Sequence, residues 1–379
     1  MADHILTTHV GSLPRPPELL ERMRAASQMV DEQALADLIA RSVADVVRRQ
    51  VDIGVDLVSD GEFSKPSYVT YVAERLSGFS GSWKGSAAAD LRAFPDYAQR
   101  LIQIGAVVPS AGGSCCTAPV APKDSGPLER DIANLKAAVA ESHAHGAFVN
   151  AASPGVVAVF HKNEFYSSED AFVEAVAEAL RPEYEAIVAA GFQLQIDSPD
   201  LAMSRHLLYV DLTDAEFLRI VERNVAVLNH ATRTIPAEKM RMHLCWGNYA
   251  GPHHLDIPLL KIAPVVLAAK PQMLLLEGAN PRHAHEWAVF EEVGLPEDKI
   301  LVPGVIDSTS NHVEHPQLIA ERLLRYADVI GRERLAAGTD CGFSTFNEIP
   351  TVWPDIVWLK LASMVEGARI ASAQLWGRP

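Results

Sequence analysis

No stretch of about 18 consecutive apolar residues occurs in this chain, so no segment of it reads as a membrane-spanning helix. Basic residues are scarce beside acidic ones, 33 Lys and Arg against 48 Asp and Glu. The resulting formal net charge of −15 argues against nucleic acid and against an anionic membrane surface as partners. Cysteine is sparse too. Four in 379 residues do not make a disulfide framework, and a reducing cytoplasm is the expected location. The opening Met-Ala-Asp-His-Ile-Leu-Thr-Thr lacks the basic-then-apolar order of a secretory signal, so none is expected. Linker-like and low-complexity stretches are missing as well, which leaves residues 1–379 to be read as a single domain. What remains is the balance of a globular enzyme with a large core, 48% hydrophobic and 21% charged. Its length suits one α/β barrel carrying insertions.

Helical periodicity is plain over 31–54, where Leu35, Leu38, Ile39, Val43, Val46 and Val47 form one stripe and Gly54 ends it. Similar patterns cover 168–190, 214–232, 316–330 and 354–373. Short apolar runs ending in polar residues lie at 5–12, 57–62, 148–153, 192–197, 240–245, 273–277, 300–307 and 335–341. Strands alternating with helices imply a parallel sheet, and near-continuous apolar strands imply cover on both faces. Glu277 follows His243 by 34 positions, Asp307 follows Glu277 by 30, and Cys341 follows Asp307 by 34. That is the length of a strand–helix unit, so these residues occupy equivalent strand ends. The expected fold is a (β/α)8 TIM barrel, whose strand ends share one rim. The run at 113–120 is one strand too many for eight places, and residues 64–145 are assigned to one unit enlarged by a hairpin or extra helices.

The rim holds a set of soft donors. Residues two apart in a strand share a face, so His243 and Cys245 point the same way. Together with Glu277 and Cys341 they form an N, S, O, S set that suits tetrahedral Zn2+ better than Mg2+ or Ca2+. Taken singly, a buried cysteine is usually a small hydrophobe; shared placement and spacing favour the metal. Cys115 and Cys116 are adjacent, so their side chains diverge, and they read as structural. Of the acidic strand ends, Glu62 and Asp197 suit a cationic substrate group, whereas Asp60 serves equally well as a cap. Gly11 lets backbone N–H groups approach a carboxylate or sulfonate, although a tight turn before Pro14 explains it as well. Trp246 to His254 is a loop that walls or covers the site, and His253 and His254 read as solvated.

Thr8-His-Val-Gly-Ser-Leu-Pro, Asp60-Gly-Glu, Gln195-Ile-Asp-Ser-Pro, His243-Leu-Cys, Glu277 and Asp340-Cys-Gly together resemble the cobalamin-independent methionine synthase family. The resemblance runs from about residue 5 to about 345 and is to the catalytic barrel; it extends to short relatives that include epoxyalkane:coenzyme M transferase. It implies that His243, Cys245, Glu277 and Cys341 hold zinc, with Glu277 yielding its place to an incoming thiol. Glu62 and Asp197 then hold the homocysteine ammonium, and Ser12 belongs to the turn near its carboxylate. Two positions depart from the pattern. Thr309 stands where the family has a catalytic histidine, and Ser198 stands in place of a glutamate. The expected activity is alkyl transfer to a thiol, with a small-molecule thiol and an alkyl donor as partners and self-association left open. Methyl transfer from a methylfolate-type donor to homocysteine leads; opening an epoxide with coenzyme M, where Arg15 or Lys65 would have to counter the carboxylates, is the alternative. Asp307, Thr309 with water, and His312 are the candidates for protonating the leaving atom. A purely structural zinc fits poorly, because such sites are closed and rich in cysteine.

Overall fold

The computed structural model describes residues 3–25, 31–104, 110–345 and 351–377. Eight strands make one parallel sheet: β1 (Leu6–Thr7), β2 (Leu57–Val58), β3 (Gly146–Ala152), β4 (Gln193–Asp197), β5 (Met240–Leu244), β6 (Met273–Leu276), β7 (Ile300–Ile306) and β8 (Ala336–Thr339). Their order is β1-β8-β7-β6-β5-β4-β3-β2, and a parallel bridge from Thr8 to Leu57 joins the two ends. The ring is a TIM barrel, as the alternation of elements implies.

Local chemistry explains where the helices begin. Asp31 caps Glu32–Asp52 by accepting from Gln33 N and Ala34 N, and Ser168 caps Glu169–Ala189. Thr213 and Glu216 form a capping box on Asp214–Ala231. Pro316–Ile330 and Pro354–Trp376 each start on proline, whose missing N–H costs nothing there. The first two strands are shorter than their apolar runs. Gly11 lies at φ +144°, Gly61 at +68° and Glu62 at +60°, so the chain leaves the strand conformation before those runs end.

The surplus apolar run belongs to neither end of the ring. Ser110–Pro122 pairs antiparallel with Leu76–Ala87, and Lys162–Asn163 adds a third strand to this separate sheet. Cys115 and Cys116 lie in it as buried free thiols. The insertion between β2 and β3 is therefore a hairpin plus helices, Gly126–Ser142 the longest of them. Among the described residues, no helix is long and apolar enough to cross a membrane.

Strand parity sorts side chains into two cores. Leu194, Ile196, Met242, Leu244, Leu274 and Leu276 belong to the main cluster that the helices cover. Their neighbours Phe148, Met273, Leu275, Val302 and Ala336 join Val10 and Leu57 in a second cluster that fills the bore. Above Phe148 the bore turns polar. The Arg241 guanidinium stands 3.9 Å over that ring and donates to Thr8 Oγ1 and His9 O. His9 accepts from Gly11 N on Nδ1 and bonds Gln50 through Nε2, and burial pushes its pKa down to about 4. A bare Gly304 lets β7 pass the Asp340 side chain: a Cβ there would lie 2.0 Å from Asp340 Oδ1 and 2.7 Å from Asp340 N. Gly304→Ala should therefore cost about 1–3 kcal/mol, the usual overpacking penalty. A fall in the urea unfolding midpoint checks this, and an unchanged midpoint would mean that β7 and β8 part without cost.

Candidate functional site

The rim of the barrel gathers donors from strands that are far apart in sequence. His243 is the fourth residue of β5, Cys245 follows that strand, and Cys341 stands two residues beyond β8. Their ligand atoms all lie within 4.8 Å of one another, and all three residues are buried. Neither nitrogen of the His243 ring has a hydrogen-bond partner. A buried imidazole left unpaired beside two thiols is costly unless a further group satisfies it, so this set fits a borderline-soft metal ion. The two thiols also act on each other. Cys341 donates toward Cys245 and, with His243, draws its pKa well down, while the same contact and burial push Cys341 well up. Burial opposes a charge on His243, but Cys245, Asp197 and Glu277 together outweigh it and raise its pKa.

Glu277 ends β6 next to this group and stands outside it. Its Oε1 accepts from Trp246 N at 2.8 Å, and its Oε2 accepts from Asn280 Nδ2 and Arg282 Nη2, each at 2.7 Å. Burial lifts its pKa to about 7 against the pull of Arg282 and His283. The loop that follows is pinned by Asp340, which accepts from Gly278 N, Ala279 N, Asn280 N and Asn280 Nδ2, each at 2.8 Å. The residue before Cys341 thus fixes the loop that orients Glu277.

Two further buried acids stand near this group, and Asp197 is in register with His243 on the neighbouring strand. Asp197 closes β4, where Gln195 Nε2 donates to Oδ1 at 2.8 Å and Asn150 Nδ2 to Oδ2 at 2.9 Å. Both amides reach Val10 O as well, and a Cβ on Gly11 would lie 2.5 Å from Asn150. Gly11 is therefore required by close approach and by its positive φ, and it seats the first turn on β3. Glu62 holds a left-handed backbone that a glutamate rarely adopts, fixed by Asp60 Oδ1 accepting its N–H at 2.9 Å. Burial raises its carboxyl to about 7, with Lys65 opposing and Asp197 adding to the rise. Lys65 donates from Nζ to Asn150 O at 2.5 Å.

Other expected residues turn out differently. Arg15 is buried, and its guanidinium donates to Ser344 O, Ser344 Oγ, Glu62 O and Lys65 O, so it clamps backbone around the acids. Ser12 Oγ accepts from Ser344 N, tying the first turn to the segment after Cys341. Asp307 Oδ1 accepts from Thr309 N and Thr309 Oγ1 in a local turn, while His312 is exposed and offers its carbonyl to Lys360. His253 is buried rather than solvated, its Nδ1 at 3.0 Å from Asp256; His254 is exposed. Trp246 is a wall, stacked at 3.9 Å on His283 and bonded through Nε1 to Ile257 O. Asn150, Asn280 and Arg282 escaped sequence reasoning. Asn150 alone left a trace, as the polar residue inside an apolar strand; Arg282 lies in a loop with no period to betray it.

The model for the cobalamin-independent synthase catalytic domain matches residues 5–94 and 91–369. The chain belongs to that family. Methionine synthases of Saccharolobus islandicus and Sulfolobus acidocaldarius are 25% and 26% identical to it, over 97% and 99% of this chain and 95% of theirs. A solved B12-independent methionine synthase from Shewanella, in complex with selenomethionine, shares the fold at a TM-score of 0.74 and 18% identity, covering 99% of each chain. In this cobalamin-independent synthase barrel the protonation of Glu62 has a measurable consequence. Between about pH 4.5 and 7 that carboxyl is protonated when folded and charged when unfolded. Its contribution is full below that window and lost as the pH rises through it. The metal-free wild type should therefore lose on the order of 3 kcal/mol relative to Glu62→Gln between about pH 5 and pH 8. Urea unfolding at the two pH values measures the difference; parallel curves would show that Glu62 ionises as freely in the fold as outside it.

Proposed function

We propose that the chain methylates the thiol of homocysteine, with zinc held by His243, Cys245 and Cys341 and with Glu277 as the exchangeable fourth donor. One observation carries this: two buried thiols and a partnerless imidazole converge at the mouth of a barrel whose family is the cobalamin-independent synthases. Zinc, when bound, supplies the positive charge that keeps a substrate thiol deprotonated at neutral pH.

The chain's own residues do the rest. Glu62 and Asp197 face the amino group, and Asn150 and Gln195 orient the Asp197 carboxyl by donating to both of its oxygens. Glu62 gives up its proton to pair with the ammonium, so homocysteine binding should tighten as the pH rises through about 7. The Gly11–Ser12 turn receives the carboxylate. Sulfur attacks the methyl carbon as the bond from that carbon to the donor nitrogen breaks, and the leaving nitrogen takes up a proton. We assign the donor side to the end of β7, where Asp307 and Thr309 stand in place of an acid–imidazole pair, with His312 on the loop beyond; a methyltetrahydrofolate-type molecule is the proposed donor. Two adjacent carboxylates suit an amino acid thiol and oppose a sulfonate, which disfavours coenzyme M.

Zinc analysis and steady-state kinetics test the reading together. The protein should retain one equivalent of zinc after exchange, and Cys245→Ser or Cys341→Ser should lose it. Glu62→Gln should raise the homocysteine KM by about tenfold or more, the worth of a charged hydrogen bond, without weakening 2-mercaptoethanesulfonate. Full zinc retention in either serine variant, or an unchanged KM, would overturn the assignment.

A further inference from the structure

Arg282 is the one cation in contact with the Glu277 carboxylate among the described residues, and the loop around it is built to keep it there. Its Nη2 donates to Glu277 Oε2 at 2.7 Å. Its Nε and backbone N both donate to Asn280 Oδ1 at 3.1 Å, and Asn280 is itself locked onto Asp340. Its Nη1 is buried, makes no hydrogen bond, and stands 3.8 Å from Asp256 Oδ2. Asp256 in turn sits within 3.2 Å of ring nitrogens of His206, His253 and His283. This lattice joins the loop after β5, which follows Cys245, to the loop after β6, which follows Glu277.

A buried carboxylate that leaves a donor set must find another partner, because an uncompensated buried charge costs several kcal/mol. Glu277 already has such a partner at hand. Its Oε1 takes one N–H, from Trp246, and keeps capacity for a further partner, while Oε2 is committed to Asn280 and Arg282. We propose that Arg282 is a positioning residue that receives the Glu277 carboxylate when a substrate thiol takes its place among His243, Cys245 and Cys341. The charges balance. Two thiolates would neutralise a dication, the third anion would be either Glu277 or the substrate sulfur, the proton of the incoming thiol would leave to solvent, and the displaced carboxylate would be neutralised by the guanidinium. Arg282 touches neither substrate nor metal in this scheme and acts only through Glu277. The proposal rests on the thiol-activation reading above.

Cobalt(II)-substituted protein provides a readout independent of turnover, since an added thiolate changes its visible spectrum. L-Homocysteine is titrated into wild type, Arg282→Met, Arg282→Lys, Glu277→Gln and the Glu277→Gln/Arg282→Met pair, and the metal affinity of each is measured by competition with a chelator. Arg282→Met should weaken homocysteine binding by about tenfold or more, as loss of a buried partner implies, while holding cobalt at least as tightly. Arg282→Lys should restore most of the thiol affinity. In the Glu277→Gln background, Arg282→Met should change nothing further. Unaltered homocysteine affinity in Arg282→Met, or an equal loss with and without the Glu277 carboxylate, overturns the proposal and leaves the thiol reading standing. A wild-type spectrum that ignores homocysteine overturns both.

Discussion

Closing eight parallel strands into a ring sends every second side chain of each strand into a bore that excludes water, and polar groups placed there must satisfy one another. The lower bore meets this demand with apolar side chains around Phe148. The upper bore meets it with cross-strand pairs: Arg241 on Thr8 and His9, Lys65 on Asn150 O, and Gln195 and Asn150 on Asp197. Most polar atoms at the rim are thereby committed before any ligand arrives. Among the side chains with unpaired buried atoms, the His243 ring is the one that lies next to two thiols, with neither nitrogen bonded.

Four buried acids at one rim are tolerable because their environments differ. Asp340 receives four N–H donors and serves the loop after β6. Asp197 receives two amides and Glu277 an amide, a backbone N–H and a guanidinium. Glu62 is held in place by backbone strain and a neighbouring Asp60, with its carboxyl raised to about 7. Buried carboxyls therefore divide into a loop brace, a carboxyl oriented by two amides and two carboxyls poised near neutrality. The buried bases follow the same logic, since Arg15 holds backbone whereas Arg282 holds a carboxylate.

Much of this was legible in the chain. The period of strand and helix located all eight barrel strands and five long helices, because apolar spacing records burial directly, but it left the insertion open as a hairpin or extra helices and did not mark Gly126–Ser142. Parity placed His243 and Cys245 on one face, and unit spacing put Glu277, Asp307 and Cys341 at strand ends. Other expectations ran past what local pattern encodes. The first two strands end early because Gly11, Gly61 and Glu62 take positive φ, and His253 is buried because Asp256 faces it across a turn. The sequence offers no sign that Arg15 spends its donors on carbonyls.

Residue spacing alone pointed to the barrel, the rim and a candidate set of donors, since period and strand parity are properties of neighbours along the chain. Only the tertiary structure decided that three of those donors meet, that Glu277 turns toward Arg282, and that Asp340 braces the loop between them. The first and third of these join residues from different strand ends that the ring brings together, at distances set by strand register and closure, while the second lies within one loop whose path no local pattern carries.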